Sequence, residues 1–309
     1  MQEGSKKAIV AAFVANMAIA LAKLVGFLMT GAASLAAEAV HSFADSSNQG
    51  LLFLGGAKAR KTATPEHPFG YGRERYFWSF VVALVLFSLG GLFALFEGIE
   101  KLRHPHELES SLVAFVILGV AIAAEAFSLR TAIKESLHSK GEGSWWQFIR
   151  RSKTPELPVV LLEDTGALTG LAFAAVGLGL AELTGNPRYD AVGSVAIGLL
   201  LVAIAITLVV EMKSLLIGEA ASPATIRAIC QAMEGTDPVN KVIHLRTEHL
   251  GPDELLVAAK LTFDRGLDVP GLADAINDVE RRVREAAPSA RLIYIEPDVE
   301  RTPTGEHVT

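Results

Sequence analysis

Long apolar runs broken by short polar segments fill the first two-thirds of the chain. Six of them, at about 8–29, 33–56, 76–99, 111–133, 157–182 and 189–212, reach the roughly 20 residues that a bilayer-crossing helix needs. The first is too long for the apolar part of a signal peptide and carries Lys23 within it, so a cleaved leader is not expected. The last third has a different rhythm. Residues 222–235 read as a helix opened by Ser222 and Pro223. Strands are predicted at about 240–248 and 254–263, joined by the turn Gly251-Pro252-Asp253. A second helix covers 270–286, with Leu272, Ile276, Val279 and Val283 on one face, and a last strand covers about 291–296.

The pattern therefore predicts an α-helical membrane protein. Six transmembrane helices occupy residues 1–217, an α+β domain of αββαβ order (ferredoxin/metallochaperone-like) occupies 218–300, and 301–309 form a flexible tail. So small an open sheet has exposed edges and a modest core, and pairing with a second copy would help it; a homodimer is expected.

Composition supports the division. Of 309 residues, 50% are hydrophobic and only 20% charged. Residues 219–309 hold 10 Lys and Arg against 16 Asp and Glu, so the whole net charge of −6 resides there. Such a chain lacks the basic face of a nucleic-acid binder. Its one cysteine, Cys230, excludes a disulfide framework or a thiolate zinc site. Thirteen Lys and Arg flank the spans on the side of the N-terminus, against three (Lys101, Arg103 and Arg188) on the other. Both termini are therefore expected to be cytoplasmic, with the protein in the cell (inner) membrane.

The chemistry is concentrated in two spans. Glu38, His41, Asp45 and Asn48 in the second lie at i, i+3, i+7 and i+10, within an arc of roughly 80° on a helix. In water this would be a solvated face; in a bilayer, carboxylates at mid-span point to an ion or a proton path. The fifth span supplies Glu163 and Asp164, about 100° apart around the helix, so that one can point at a central site while the other flanks it. Imidazole with two or three carboxylates suits Zn²⁺ and also Mn²⁺, Fe²⁺ or Co²⁺. The spans show no nucleophile with a matching base and no HExxH, so an enzyme is disfavoured. A membrane metal sensor or scaffold that carries nothing is the leading rival to a carrier.

These residues resemble the cation diffusion facilitator family of divalent-metal/proton antiporters. The resemblance rests on Ala37-Glu38-Ala39-Val40-His41-Ser42-Phe43-Ala44-Asp45, His67-Pro68-Phe69-Gly70-Tyr71-Gly72, Tyr189-Asp190-Ala191-Val192-Gly193-Ser194 and His244-Leu245-Arg246-Thr247. Leu161-Leu162-Glu163-Asp164-Thr165 looks most like the zinc transporter 9-like branch. The resemblance implies proton-coupled efflux of a divalent cation, most readily Zn²⁺, by alternating access, with no cofactor. It also implies that His41, Asp45 and Asp164 are metal ligands. The family's usual fourth ligand, one turn before Asp164, is replaced by Val160, which leaves Glu163, Glu38 or water to complete the shell.

Other positions carry weaker expectations. Tyr71 replaces a histidine that would complete a loop site with Glu66 and His67, and His244 reads as a packing or surface residue. The resemblance makes Arg73 and Glu219 a hinge pair. Lys23 either snorkels to the interface or pairs with an intramembrane acid. Glu125, at mid-span, is either a structural partner, with Lys23 a candidate, or part of a proton path. Among the spans' acids, Asp164 is expected to face the metal directly and Glu163 only obliquely.

Overall fold

The computed structural model describes residues 3–105 and 111–299; the tail expected at 301–309 lies outside them. The chain forms two compact units, Met1–Lys58 with Glu74–Lys213, and Ala59–Arg73 with Ser214–Thr309.

The first unit is helical. Among the described residues its long helices are α1 (Glu3–Thr30), α2 (Ala33–Ala59), α3 (Glu74–Val81), which continues through the π-helical turn Val82–Phe87 into α4 (Ser88–Arg103), α5 (Ser111–Lys140), α7 (Glu156–Thr184) and α8 (Arg188–Ile217). The short α6 (Trp145–Arg151) lies between α5 and α7. Each of the six apolar runs thus becomes one helical rod of 27 to 30 residues. At about 1.5 Å per residue such a rod exceeds a hydrocarbon core of roughly 30 Å.

Four rods, Glu74–Arg103, Leu112–Leu137, Glu156–Thr184 and Arg188–Ile217, are long and apolar enough to cross a membrane, and Met17–Thr30 is a shorter apolar helix. α2 is the exception, because its polar stripe dilutes its apolar surface. It compensates by burial: Leu35, Ala36, Ala37, Glu38, Ala39, His41, Ser42 and Asn48 are all enclosed. Leu112, Val116, Val120 and Phe127 of α5 do the opposite, forming an exposed apolar row at helical spacing. Leu35, Leu171, Leu178, Ile197, Leu201 and Leu208 fill the interior.

In the second unit, α9 (Pro223–Glu234) starts where Ser222 Oγ accepts the amide of Thr225, the expected cap. β1 (Val239–Gly251) runs antiparallel to β2 (Glu254–Phe263). α10 (Val269–Ala286), capped by Asp268, returns the chain to β3 (Ala290–Pro297), which pairs parallel with β2. The sheet order is β1-β2-β3. Along β2, Leu255, Val257, Ala259 and Leu261 alternate inward and meet Ile229, Met233, Val279 and Val283 of the helices. The αββαβ order is as predicted. The segment 59–73, which has no strand or helix pattern of its own, belongs to this unit, a membership its sequence does not announce.

Candidate metal centre

The turn between α1 and α2 fixes where the stripe of α2 begins. Gly31, at φ 66°, closes α1 in the left-handed conformation that glycine tolerates. The first amides of α2 are then captured from a distance. Ala33 N–H donates to Asp190 Oδ2 at 2.6 Å, and the Ser34 hydroxyl donates to the other oxygen of the same carboxylate. A buried acid at a helix N-terminus satisfies donors that would otherwise be orphaned. Asp190 lies in the Tyr189–Ser194 motif, and an acid at the start of an apolar helix is the signal for this role in the sequence.

Within α2 the stripe divides in two. Glu38 is fully buried and meets Lys23 of α1, whose Nζ donates to Glu38 Oε2 at 3.0 Å and to Ser42 Oγ at 2.6 Å. The other Glu38 oxygen lies against Gly170 of α7, where a Cβ would overlap it. Lys23 therefore pairs with an intramembrane acid, and that acid is Glu38. As an accessory ligand Glu38 would first have to leave this cation.

One turn further along, His41 Nε2 lies 3.5 Å from Asp45 Oδ2. Across from them, Asn48 Nδ2 donates to Glu163 Oε1, and the Glu163 and Asp45 carboxyls border the same buried space. Asp164 turns toward α5 and accepts from Ser128 Oγ at 2.9 Å. Asp45, Glu125, Ser128, Val160, Glu163 and Asp164 border one cavity of about 40 Å³. A water needs roughly 10–15 Å³ by this measure, so two or three waters, or a cation with part of its shell, can enter.

Both acids of α7 therefore border the cavity, Glu163 beside Asn48 of α2 and Asp164 beside Ser128 of α5. Glu163 is only 5% exposed and faces the α2 stripe, whereas Asp164 flanks the same cavity. Glu163 shares its side of α7 with Gly166 and Gly170, at i+3 and i+7. That small-residue ridge, in phase with Glu163, is the signal that identifies the inward acid. Val160 borders the cavity without offering a donor. Among the described residues no three His, Cys, Asp or Glu side chains converge tightly enough to hold a metal ion.

The remaining sequence candidates lie elsewhere. In the second unit, Arg73 forms its ion pair with Glu248, while the main-chain carbonyl of Glu219 accepts the amide of His249. The His67 ring packs edge-on against Tyr71, with centroids 4.6 Å apart. His244 Nε2 accepts from Arg246 Nε at 2.8 Å.

Known proteins resemble this chain over most of its length. Residues 9–217 match the family model of the cation efflux transmembrane domain. The chain is 35% identical over 266 residues to the mitochondrial proton-coupled zinc antiporter SLC30A9 of Xenopus laevis, covering 85% of this chain and 47% of that protein. It is 32% identical to the human SLC30A9, covering 85% and 46%. It is 24% identical to the magnetosome protein MamB of Paramagnetospirillum magneticum, covering 92% and 90%. The chain spans about half the length of the two SLC30A9 proteins. A domain match over most of the helical unit, joined to this identity, makes the chain a multi-pass membrane protein of the cation efflux, or cation diffusion facilitator, family, near its SLC30A9 branch.

Proposed function

We propose that this protein moves a divalent metal cation, foremost Zn²⁺, across the membrane in exchange for protons, by alternating access about the cavity between α2, α5 and α7. The observation that carries this is the gathering of the Asp45, Glu163, Asp164 and Glu125 carboxyls on one cavity beside His41. Carboxyls such as Asp45 and Glu163, crowded into one buried space, do not all stay ionised, so one of the pair holds a proton. A divalent cation entering the cavity replaces that proton and satisfies both oxygens. Protons arriving from the opposite side restore the carboxyl pair and release the metal.

Asp45, Glu163 and Asp164 would supply oxygens and His41 a nitrogen. Asp164 occupies the family's ligand position, and Glu163 provides the donor that Val160 cannot. Glu125 borders the cavity and serves the proton path. The protein acts as a homodimer through its α+β domain, with both termini cytoplasmic in the cell (inner) membrane. The names of the SLC30A9 relatives, proton-coupled zinc antiporters, favour the same cargo and counter-ion.

Zinc uptake into everted vesicles with an imposed pH gradient tests the reading. Uptake should follow the gradient and collapse when a protonophore removes it. Zinc binding with no flux of Zn²⁺, Mn²⁺, Fe²⁺ or Co²⁺ would instead mark a sensor.

A further inference from the structure

We propose that α6 and the cavity beside it bind the headgroup of an anionic phospholipid. This helix lies between the ends of two long apolar rods, α5 and α7, where a membrane protein meets the headgroup layer. Its sides differ sharply. Phe148 and Ile149 are buried, while Trp146 is 55% exposed and Trp145 stands partly clear of the protein. Exposed tryptophans at the ends of spans settle at the membrane interface, their rings in the acyl region and their N–H groups among headgroups. A capping box fixes the helix: Ser144 Oγ accepts the amide of Gln147, and the Gln147 side chain accepts the amide of Ser144.

Behind the tryptophans lies a cavity of about 350 Å³ lined by Lys140, Arg151 and Lys153, with Gln147, Ser152 and Thr154 adding neutral hydrogen-bonding groups. No acid is among its lining residues. The segment 140–153 contains four basic residues and one acid in a chain whose net charge is −6. The two neighbouring arginines differ. Arg150 Nε pairs with Glu211 at 3.1 Å, whereas Arg151, directly on the cavity, has no ion pair among the described residues. Lys140 Nζ sits 5.2 Å above the Trp145 ring, which links the basic cavity to the aromatic edge.

A guanidinium and two ammonium groups around a concave polar space match a phosphodiester. Free phosphate is also an anion that suits these cations, yet it gives the exposed tryptophans nothing to contact. A lipid satisfies both parts, with its phosphate in the basic cavity and its glycerol and chains along Trp145 and Trp146. Basic pockets on the positively flanked side of a membrane protein are where anionic headgroups are held.

The test titrates the purified full-length chain, in neutral detergent, with short-chain phosphatidylglycerol and follows tryptophan fluorescence. Phosphatidylcholine and inorganic phosphate are titrated alongside, with Arg151→Gln/Lys153→Gln as the variant and Arg130→Gln as a charge control on exposed α5 surface. Phosphatidylglycerol should saturate at concentrations at least about tenfold below the other two. The double variant should weaken it about 25-fold, at roughly fivefold per basic side chain, and elute like the wild type on size exclusion. The proposal is overturned by wild-type affinity in the double variant. It is equally overturned by inorganic phosphate binding as tightly as the lipid, or by Arg130→Gln costing as much as the double change.

Discussion

Two halves of one polar stripe on α2 have opposite surroundings. Glu38 has a buried ammonium, Lys23, within 3.0 Å and is not among the residues that line the acidic cavity. Two turns later Asp45 shares its space with Glu163, Asp164 and Glu125, and the cavity there is lined by no basic residue. In sequence both halves look alike, as acids at helical spacing in an apolar span. The structure gives the first half its counter-charge from within the protein and leaves the second half to be neutralised by protons or a cation. A carboxylate matched by an internal lysine holds helices together; a group of carboxylates without one must exchange something.

The largest expected effects fall in the second half. Asp45→Asn and Glu163→Gln should each reduce zinc flux at least ~100-fold while leaving a normally eluting protein, since each removes an oxygen and the shared proton. Asp164→Asn should cost less than Glu163→Gln, because Asp164 leans on Ser128 at the cavity's flank. The reverse order in vesicle uptake would make Asp164 the primary ligand.

The first half should respond in stability rather than in the chemistry of the metal. Lys23→Met strands the Glu38 charge in the interior and should cost about 3–5 kcal/mol in denaturant unfolding. Lys23→Met/Glu38→Leu should recover most of that loss, because removing a buried pair together is far less harmful than removing one partner. If the double change abolishes metal binding in the refolded protein, the two halves are one site and the contrast fails.

Smaller effects sharpen the picture. Val160→His adds a donor to the cavity wall and should tighten zinc binding roughly tenfold by calorimetry, while slowing release and therefore turnover. Glu248→Ala, which removes the partner of Arg73, should change the stability of the full chain by less than about 1 kcal/mol, because both groups are well exposed.

Much of this was legible from residue spacing. Six apolar runs became six helical rods, and the αββαβ order, the Ser222 cap and the inward face of α10 follow from local pattern alone. Spacing also singled out Asp45, Glu163 and Asp164, which border one cavity. What it could not supply is which distant side chain answers each of them. The pairing of Lys23 with Glu38 bridges two helices, and either that acid or Glu125 would have fitted the sequence. Which acid of α7 is the more deeply buried depends on close packing at Gly166 and Gly170 and not on the acids themselves. Likewise the Arg73 partner is a β1 residue, Glu248, brought close by tertiary folding.

The carboxylate of Asp190 gives α2 a pivot. Ala33 and Ser34 are fastened to α8 through it, so the first turn of α2 cannot shift unless α8 shifts too. Asp45 lies 11 residues beyond Ser34, a lever arm of about 17 Å at 1.5 Å per residue. A tilt of only about 10° about that pivot would carry Asp45 sideways by about 3 Å, the whole length of a hydrogen bond. A rocking motion too small to disturb the packing around Leu35 would then be enough to part Asp45 from Glu163.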